Sequence, residues 1–326
     1  MSIFKKSERG GLYARLRERG YIVEDAKISG QSVIRIIAPN GRVWVTGKKM
    51  AYPMNSAFIH QISDNKRLSY ELASSLSIRT PKTMYVDRSM GMEELHAFLK
   101  QYPLVVVKPL DSYKSHGVTI GVNSMDIMPQ ALEHAYQESP VAIIQEQVGG
   151  EEYRFTILEG AVVSVLRRER PQVIGDGVST VRQLVSRENS TRRDLILSDA
   201  IYPQWTVDLI GDVVMSEDIP GIGEVRILSG ATLVSKGASL YELRGDVDAS
   251  YVALAERFAT TVGAGFVAID MFIVDHQVEA SKGHYWFNEC NASPSLKMYV
   301  SARNEDNHWI VDKIVDTTDN NLNFTQ

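Results

Sequence analysis

Two β-rich runs near the C-terminus constrain this chain most. The first is Gly265-Phe266-Val267-Ala268-Ile269-Asp270-Met271-Phe272-Ile273-Val274. The second is His284-Tyr285-Trp286-Phe287-Asn288-Glu289-Cys290-Asn291, followed by Ala292-Ser293-Pro294. Runs so rich in branched and aromatic residues read as paired strands. Asp270 stands in an otherwise apolar strand, where an ionised carboxylate is costly unless it is paired or bound to a metal. Side chains alternate across a strand, so Glu289 and Asn291 are expected to share a face with Tyr285 and Phe287, with Cys290 pointing away. Asp270, Glu289 and Asn291 would together offer three oxygen ligands to Mg²⁺, a hard ion that usually adds waters and nucleotide phosphates. The other reading is a strand-end turn residue beside two surface polar groups. The two strands alone leave both open.

The chain has 326 residues, enough for a large core and two or three subdomains. Its net charge of -5 gives no basis for a nucleic-acid partner. The single cysteine rules out an intramolecular disulfide and suits a reducing compartment. The first residues lack the apolar core of a signal peptide. No run approaches the ~18 apolar residues that a membrane helix needs. The expectation is a cytoplasmic protein with neither nucleic-acid nor membrane partners.

Residues 8–20 read as a short helix carrying Leu12 and Leu16. Asn40-Gly41 between two β-rich runs signals a hairpin. Residues 47–63 read as loop. A helix is expected from about Asp64, with Leu68, Leu72 and Leu76 on one stripe. Further helices are expected over 91–101, 125–138, 247–262 and 304–315. Val105-Val106-Val107-Lys108-Pro109 reads as a buried strand that delivers a lysine at its exit. The polar loop after it, through Ser115 and Gly117, could close over phosphates with backbone N–H groups. Gly149-Gly150 between two strands is a plausible joint. Ser179 is expected to cap the helix that follows Gly175-Asp176-Gly177. Val225 to Leu228 and Thr232 to Val234 read as short strands. The boundaries drawn are 1–62, 63–150 and 151–326.

Taken in order, Asp64-Asn65-Lys66, Val106-Val107-Lys108-Pro109, Gly150-Glu151-Glu152-Tyr153-Arg154, Arg168-Glu169-Arg170-Pro171, Val173-Ile174-Gly175-Asp176-Gly177, Ile269-Asp270 and Asn288-Glu289-Cys290-Asn291 resemble the ATP-grasp superfamily. Within it the chain looks most like the ligase modules of cyanophycin synthetase and of bifunctional glutathione synthetases, over about 60–300. The resemblance implies an α+β fold in which two subdomains grip ATP. It implies Mg²⁺, two ions with Mn²⁺ as a substitute, and transfer of the γ-phosphate to a carboxylate. An amine of an amino acid or peptide would then attack the acyl phosphate. By the same resemblance, Lys66 and Lys108 touch phosphates and the loop carrying Ser115 and Gly117 covers them. Glu146, Gln147 and Val148 form the adenine hinge and Glu152 accepts the ribose hydroxyls. Asp270, Glu289 and Asn291 hold the metal, while Arg154, Arg168 and Asn291 serve the transfer. A homodimer or homotetramer is compatible with the family.

Three departures bear on this. Ser115 stands where the phosphate loop usually has a second glycine. Gln145 stands where the hinge usually has an acid. Ser229, Ala231 and Leu233 occupy places that normally offer an arginine and asparagines to the acceptor. The departures keep two alternatives in view: a non-catalytic ATP-binding regulatory module, and a phosphotransferase.

Overall fold

The chain opens with helix α1 (Gly10–Glu18) and an antiparallel sheet of β1 (Ile22–Ile28), β2 (Gln31–Ile37) and β3 (Val43–Thr46). A computed structural model describes residues 10–47, 50–111, 116–194, 209–211, 216–230, 232–304 and 308–323. The hairpin expected at Asn40-Gly41 joins β2 to β3, with Gly41 at φ 82°. β1 was not expected. It is an edge strand of mixed charge, Ile-Val-Glu-Asp-Ala-Lys-Ile, so its composition hides it.

Helices α2 (Phe58–Asp64) and α3 (Lys66–Ser75) come next. The expected loop is therefore helical at its end, where Ile59 and Ile62 are buried three residues apart. Asn65 breaks the two helices and caps the second, accepting the Leu68 N–H at 3.0 Å. A four-stranded antiparallel sheet follows, built with β4 (Thr83–Val86), α4 (Met92–Gln101), β5 (Val105–Pro109), β6 (Thr119–Val122), α5 (Met128–Tyr136) and β7 (Ala142–Glu146). Its strand order is β4-β7-β5-β6. Val105 and Val107 enter its core with Leu95, Ala131 and Ile144, and this alternation leaves Lys108 on the opposite face.

The largest sheet has five antiparallel strands in the order β12-β9-β8-β13-β14. The remaining elements are β8 (Glu151–Leu158), β9 (Ala161–Glu169), β10 (Gln172–Ile174), α6 (Val181–Asp194), β11 (Val225–Ile227), β12 (Ser239–Glu242), α7 (Ala249–Thr261), β13 (Phe266–Ile273), β14 (Tyr285–Asn291), α8 (Lys297–Val300) and α9 (His308–Asn323). Residues α2, α3 and α7 pack on one face of the sheet, over Tyr153, Phe155, Ile269, Met271 and Phe287. The other face is apolar only at one end, where Leu158, Leu166, Leu240 and Phe266 meet α1, β2, α8 and α9. Its other end is polar.

Three local expectations change. Thr232 to Val234 is not a strand; a 3₁₀ turn spans Val234–Lys236. The α6 cap is Thr180, not Ser179. Thr180 Oγ1 accepts the Gln183 N–H at 3.3 Å and Gln183 Oε1 accepts the Thr180 N–H at 2.9 Å, a capping box. Ser179 instead donates to Asp176 at 2.8 Å. The final helix runs on to Asn323, well past the expected end. No described helix is long and apolar enough to cross a membrane.

Candidate active site

The polar end of the large sheet is made by register. Asp270 lies between Arg154 on β8 and Glu289 on β14, and Arg168 on β9 lies opposite Glu152. A β-bulge decides the contribution of β14. Met271 pairs with Phe287 but Asp270 pairs with Glu289, so Asn288 is the extra residue. This corrects the expected common face of Glu289 with Tyr285 and Phe287. The two aromatic residues enter the core with Cys290, and the bulge turns Glu289 and Asn291 to the polar side beside Asp270.

Asp270 is fully buried and carries a dense set of donors. Arg154 grips it in fork geometry, Nε to Oδ1 at 2.7 Å and Nη2 to Oδ2 at 2.6 Å. Arg168 Nη2 and Asn291 Nδ2 each reach Oδ2 at 3.3 Å. Burial alone would raise the Asp270 pKa, but Arg154 and then Arg168 outweigh it and hold the carboxyl at about 2. Burial also opposes the Arg154 charge, but Asp270 more than restores it and the guanidinium pKa is raised. Met298 and Tyr299 of α8 close this end: Arg154 Nη1 lies 2.9 Å from Met298 Sδ, and Thr156 Oγ1 donates to Tyr299 Oη at 3.2 Å.

Glu152, expected to accept ribose hydroxyls, already has protein partners. It is buried, and Arg168 Nη1 reaches its Oε1 at 2.7 Å. The Thr232 hydroxyl donates to its other oxygen. Burial raises the Glu152 pKa, with Arg168 acting against it. Both carboxylate oxygens thus have protein partners, and any ribose hydroxyl would compete with them.

Two lysines belong to the expected phosphate site, Lys66 on α3 and Lys108 on β5 of the small sheet. Lys66, the first residue of α3, donates to Leu110 O at 3.4 Å. Its pKa is lowered by burial first and by Lys108 second, and Glu289 acts in the opposite direction. Both the second lysine and an acid of the large sheet are therefore within electrostatic reach of Lys66. Lys108 Nζ donates to Gln145 Oε1 at 3.0 Å and Tyr70 Oη at 3.1 Å. Tyr70 and Gln145 were not among the expected site residues. Tyr70 lies off the expected leucine stripe, on the face of α3 that buries Ser69 and Ala73, and Gln145 lies on the strand beside β5.

At the hinge the backbone is partly committed. The Glu146 N–H donates to Lys82 O and the Gln147 N–H to Leu104 O, each at 2.9 Å. Among the described residues the Val148 amide has no hydrogen-bond partner, so of the three hinge amides it is the one left for a ligand. The Glu146 side chain accepts the Lys82 N–H at 2.8 Å, and Gln147 Oε1 accepts the Gly121 N–H at 2.8 Å. Gly117 has φ +70°, and a Cβ there would lie 2.7 Å from Pro109 Cγ, so packing alone demands glycine. Ser115 lies outside the described residues.

No group of three or more His, Cys, Asp or Glu side chains placed to hold a metal occurs among the described residues. The donor set here is two carboxylates and an amide. Asp270 and Glu289 are directly paired across β13 and β14. Both accept from the one Asn291 amide nitrogen, at 3.3 and 3.0 Å. Two carboxylates and an amide side by side are oxygen ligands that fit a hard divalent cation, which would share Asp270 with Arg154 and Arg168.

No family model matches the chain. It is 33% identical over 264 residues to the glutathione biosynthesis bifunctional protein of Streptococcus mutans serotype c, covering 77% of this chain and 34% of that one. It is 24% identical over 247 residues to the cyanophycin synthetase of Nostoc sp., covering 74% of this chain and 27% of that one. The crystal structure of a bifunctional glutathione synthetase from Pasteurella multocida superposes with a TM-score of 0.64 at 20% identity, over 97% of this chain and 44% of that chain. The chain has the ATP-grasp fold. It spans about a third of the length of the bifunctional relative and about a quarter of the cyanophycin synthetase. The ATP-grasp fold accounts for the two sheets, the smaller carrying Lys108 and the larger carrying Asp270 and Glu289.

Proposed function

We propose that this ATP-grasp chain is an ATP- and Mg²⁺-dependent carboxylate–amine ligase acting on an amino acid or peptide in the cytoplasm. In this reading the γ-phosphate of ATP passes to a substrate carboxylate, and an amine displaces it to leave an amide, ADP and phosphate. The observation that carries the proposal is Lys66, which lies within electrostatic reach of Lys108 and of Glu289, the latter on a sheet whose polar end also holds Asp270, Asn291 and Arg154. Phosphoryl transfer asks for positioning and charge neutralisation rather than a protein nucleophile. Lys66 and Lys108 would bind phosphate oxygens, under the loop carrying Ser115 and Gly117. The Val148 amide would read the adenine. Asp270, Glu289 and Asn291 would hold Mg²⁺, one ion or two, with Mn²⁺ as a substitute. Bound there, the cation supplies positive charge to the phosphate oxygens. Arg154 and Arg168 would place positive charge beside the acids, toward the phosphate or acyl group.

The test is ADP release by the full chain against a panel of amino acids and dipeptides, with the amide product identified by mass. ADP release that depends on both a carboxylate and an amine is expected. ATP binding without turnover on any pair counts against it and favours a second reading, a nucleotide-binding regulatory module. One observation favours that second reading: Arg168 and Thr232 are spent on Glu152, in the part of the site where an acceptor would be received. A stable phosphorylated product would mark a phosphotransferase instead.

A further inference from the structure

Between β9 and β12 the chain makes a two-stranded ribbon, β10 with β11, that buries one face and leaves the other open. Val173 and Leu228 turn inward and pack with Val181, Leu184, Val185 and Ile210. Ile174 and Val225 stand opposite each other on the outer side, and alternation puts Ile227 beside them. At the tip, the Gly177 N–H donates to Pro220 O at 3.2 Å, and a Cβ on Gly177 would lie 2.9 Å from Ile222 Cγ1. The turn that carries Val178 is thus held against the one that carries Ile219 and Ile222. All six aliphatic side chains are more than half exposed, Ile222 at 88%. Their open area is on the order of 600 Å², at the top of the range for the largest apolar patch of an ordinary monomer. It also approaches the roughly 800 Å² that each partner contributes to a stable interface.

The electrostatics of this face point to its occupant. Natural sheets usually protect exposed strands with lysine or another charge. Here the only charged residue of the two strands, Arg226, lies opposite Val173 on the inner side. The charges around the ribbon are balanced within the chain: Arg226 pairs with Glu224 at 2.8 Å, Arg187 with Asp176 at 3.0 Å, and Arg182 with Glu217. These pairs place no net charge of one sign beside the face, although the whole chain carries -5. A face without charge asks for no partner of opposite sign, and it does not repel its own copy.

We propose that the outer face of the β10–β11 ribbon is a dimer interface, packed across a two-fold axis against the same face of a second copy of this chain. A two-fold uses one patch twice, so a surface that matches itself is sufficient. Two ribbons stacked about 10 Å apart would form a small sandwich. That second layer is what a two-stranded ribbon, marginal by itself, lacks. β11 also leads within five residues to Thr232, whose hydroxyl donates to the buried Glu152. Association would therefore steady the segment that enters the polar end of the large sheet. The proposal does not depend on what that site binds.

The test is sedimentation equilibrium of the full chain from about 1 to 100 μM, for the native chain and three variants, with circular dichroism to confirm folding. The native chain is expected at twice the mass of one chain. In Val225→Lys two like charges meet across the face, so the dimer dissociation constant rises about a hundredfold or more. An equal mixture of Val225→Lys and Val225→Glu restores a dimer of one chain of each kind. Ile22→Lys, on the exposed side of the N-terminal sheet, stays dimeric. A native chain that remains monomeric overturns the proposal, as does a Val225→Lys chain that dimerises as the native one does. If Val225→Lys does not fold, native-like dimerisation of Ile222→Lys overturns it. Assemblies that grow beyond the dimer with concentration overturn the two-fold arrangement.

Discussion

Asp270 is where the chemistry and the stability of the site meet. It carries the charge that a cation would need, and it is also the buried counter-ion of Arg154. Asp270→Asn removes both functions. Leaving a buried guanidinium without its partner typically costs about 3–5 kcal/mol, so loss of turnover in that variant would not separate the two roles. Glu289 does separate them. Its side chain is 37% exposed and is tied to the network by the Asn291 amide at 3.0 Å and by a 3.9 Å contact with Arg154. Glu289→Gln is expected to abolish ADP release while changing unfolding free energy by less than about 1 kcal/mol. Parallel assay and urea denaturation check it; a fully active Glu289→Gln chain removes Glu289 from the metal set. The same reasoning gives a pH dependence. The folded Asp270 carboxyl, at about 2, lies below its unfolded value of roughly 3.9. Its contribution is therefore present in full above about pH 4 and is lost as pH falls toward 2. Denaturation at a series of pH values is expected to show stability falling across that window, with a smaller slope in Asp270→Asn.

At the scale of elements, the strand pair shows what was legible and what was not. Both strands, the lysine delivered by β5 and the chain order of the acids could be read from side-chain types and spacing. The faces could not. Alternation placed Glu289 with Phe287, and one extra residue at Asn288 reversed that. A bulge leaves no mark in a run where either phase offers an apolar face. The same limit hid β1, which has the composition of a surface segment, and α2, whose seven residues are too few for periodicity to speak. The hinge was legible because glycine punctuates it, and the structure shows why Gly150 must be glycine. Its φ is +93°, and a Cβ there would lie 2.5 Å from Ile273 O at the end of β13. Gly150→Ala therefore meets backbone, not a side chain that can move aside. It is expected to cost about 2 kcal/mol or more through strain at positive φ and the clash together. Urea denaturation measures that cost, and an unchanged midpoint would mean that β8 and β13 can part at the hinge without loss.

At the scale of the whole molecule, the two chain ends are built into one core. Leu12, Leu16, Tyr21 and Ile36 from the first elements pack with Ile310, Val311, Ile314 and Val315 of α9. Tyr21 also donates to Asp319 and accepts from Asn323 Nδ2 at 3.0 Å. The same cluster includes Met298 and Tyr299 of α8, the two side chains that close over Arg154 and Thr156. The N-terminal sheet thus reaches the site without contributing a charged group to it. It supports the short helix that walls the buried end of the Arg154–Asp270 pair. This arrangement predicts coupling over distance. Ile314 is fully buried, so Ile314→Ala should cost about 2–5 kcal/mol through lost burial and the cavity left behind. If one core serves both regions, that loss appears equally in the hydrogen-exchange protection of β1–β3 and of β8 around Arg154, because both open only with the whole. If the N-terminal sheet and α9 instead open on their own, protection falls in β1–β3 and stays native in β8. The first outcome would make α9, which supplies none of the charged residues of the site, a determinant of how firmly Arg154 is held.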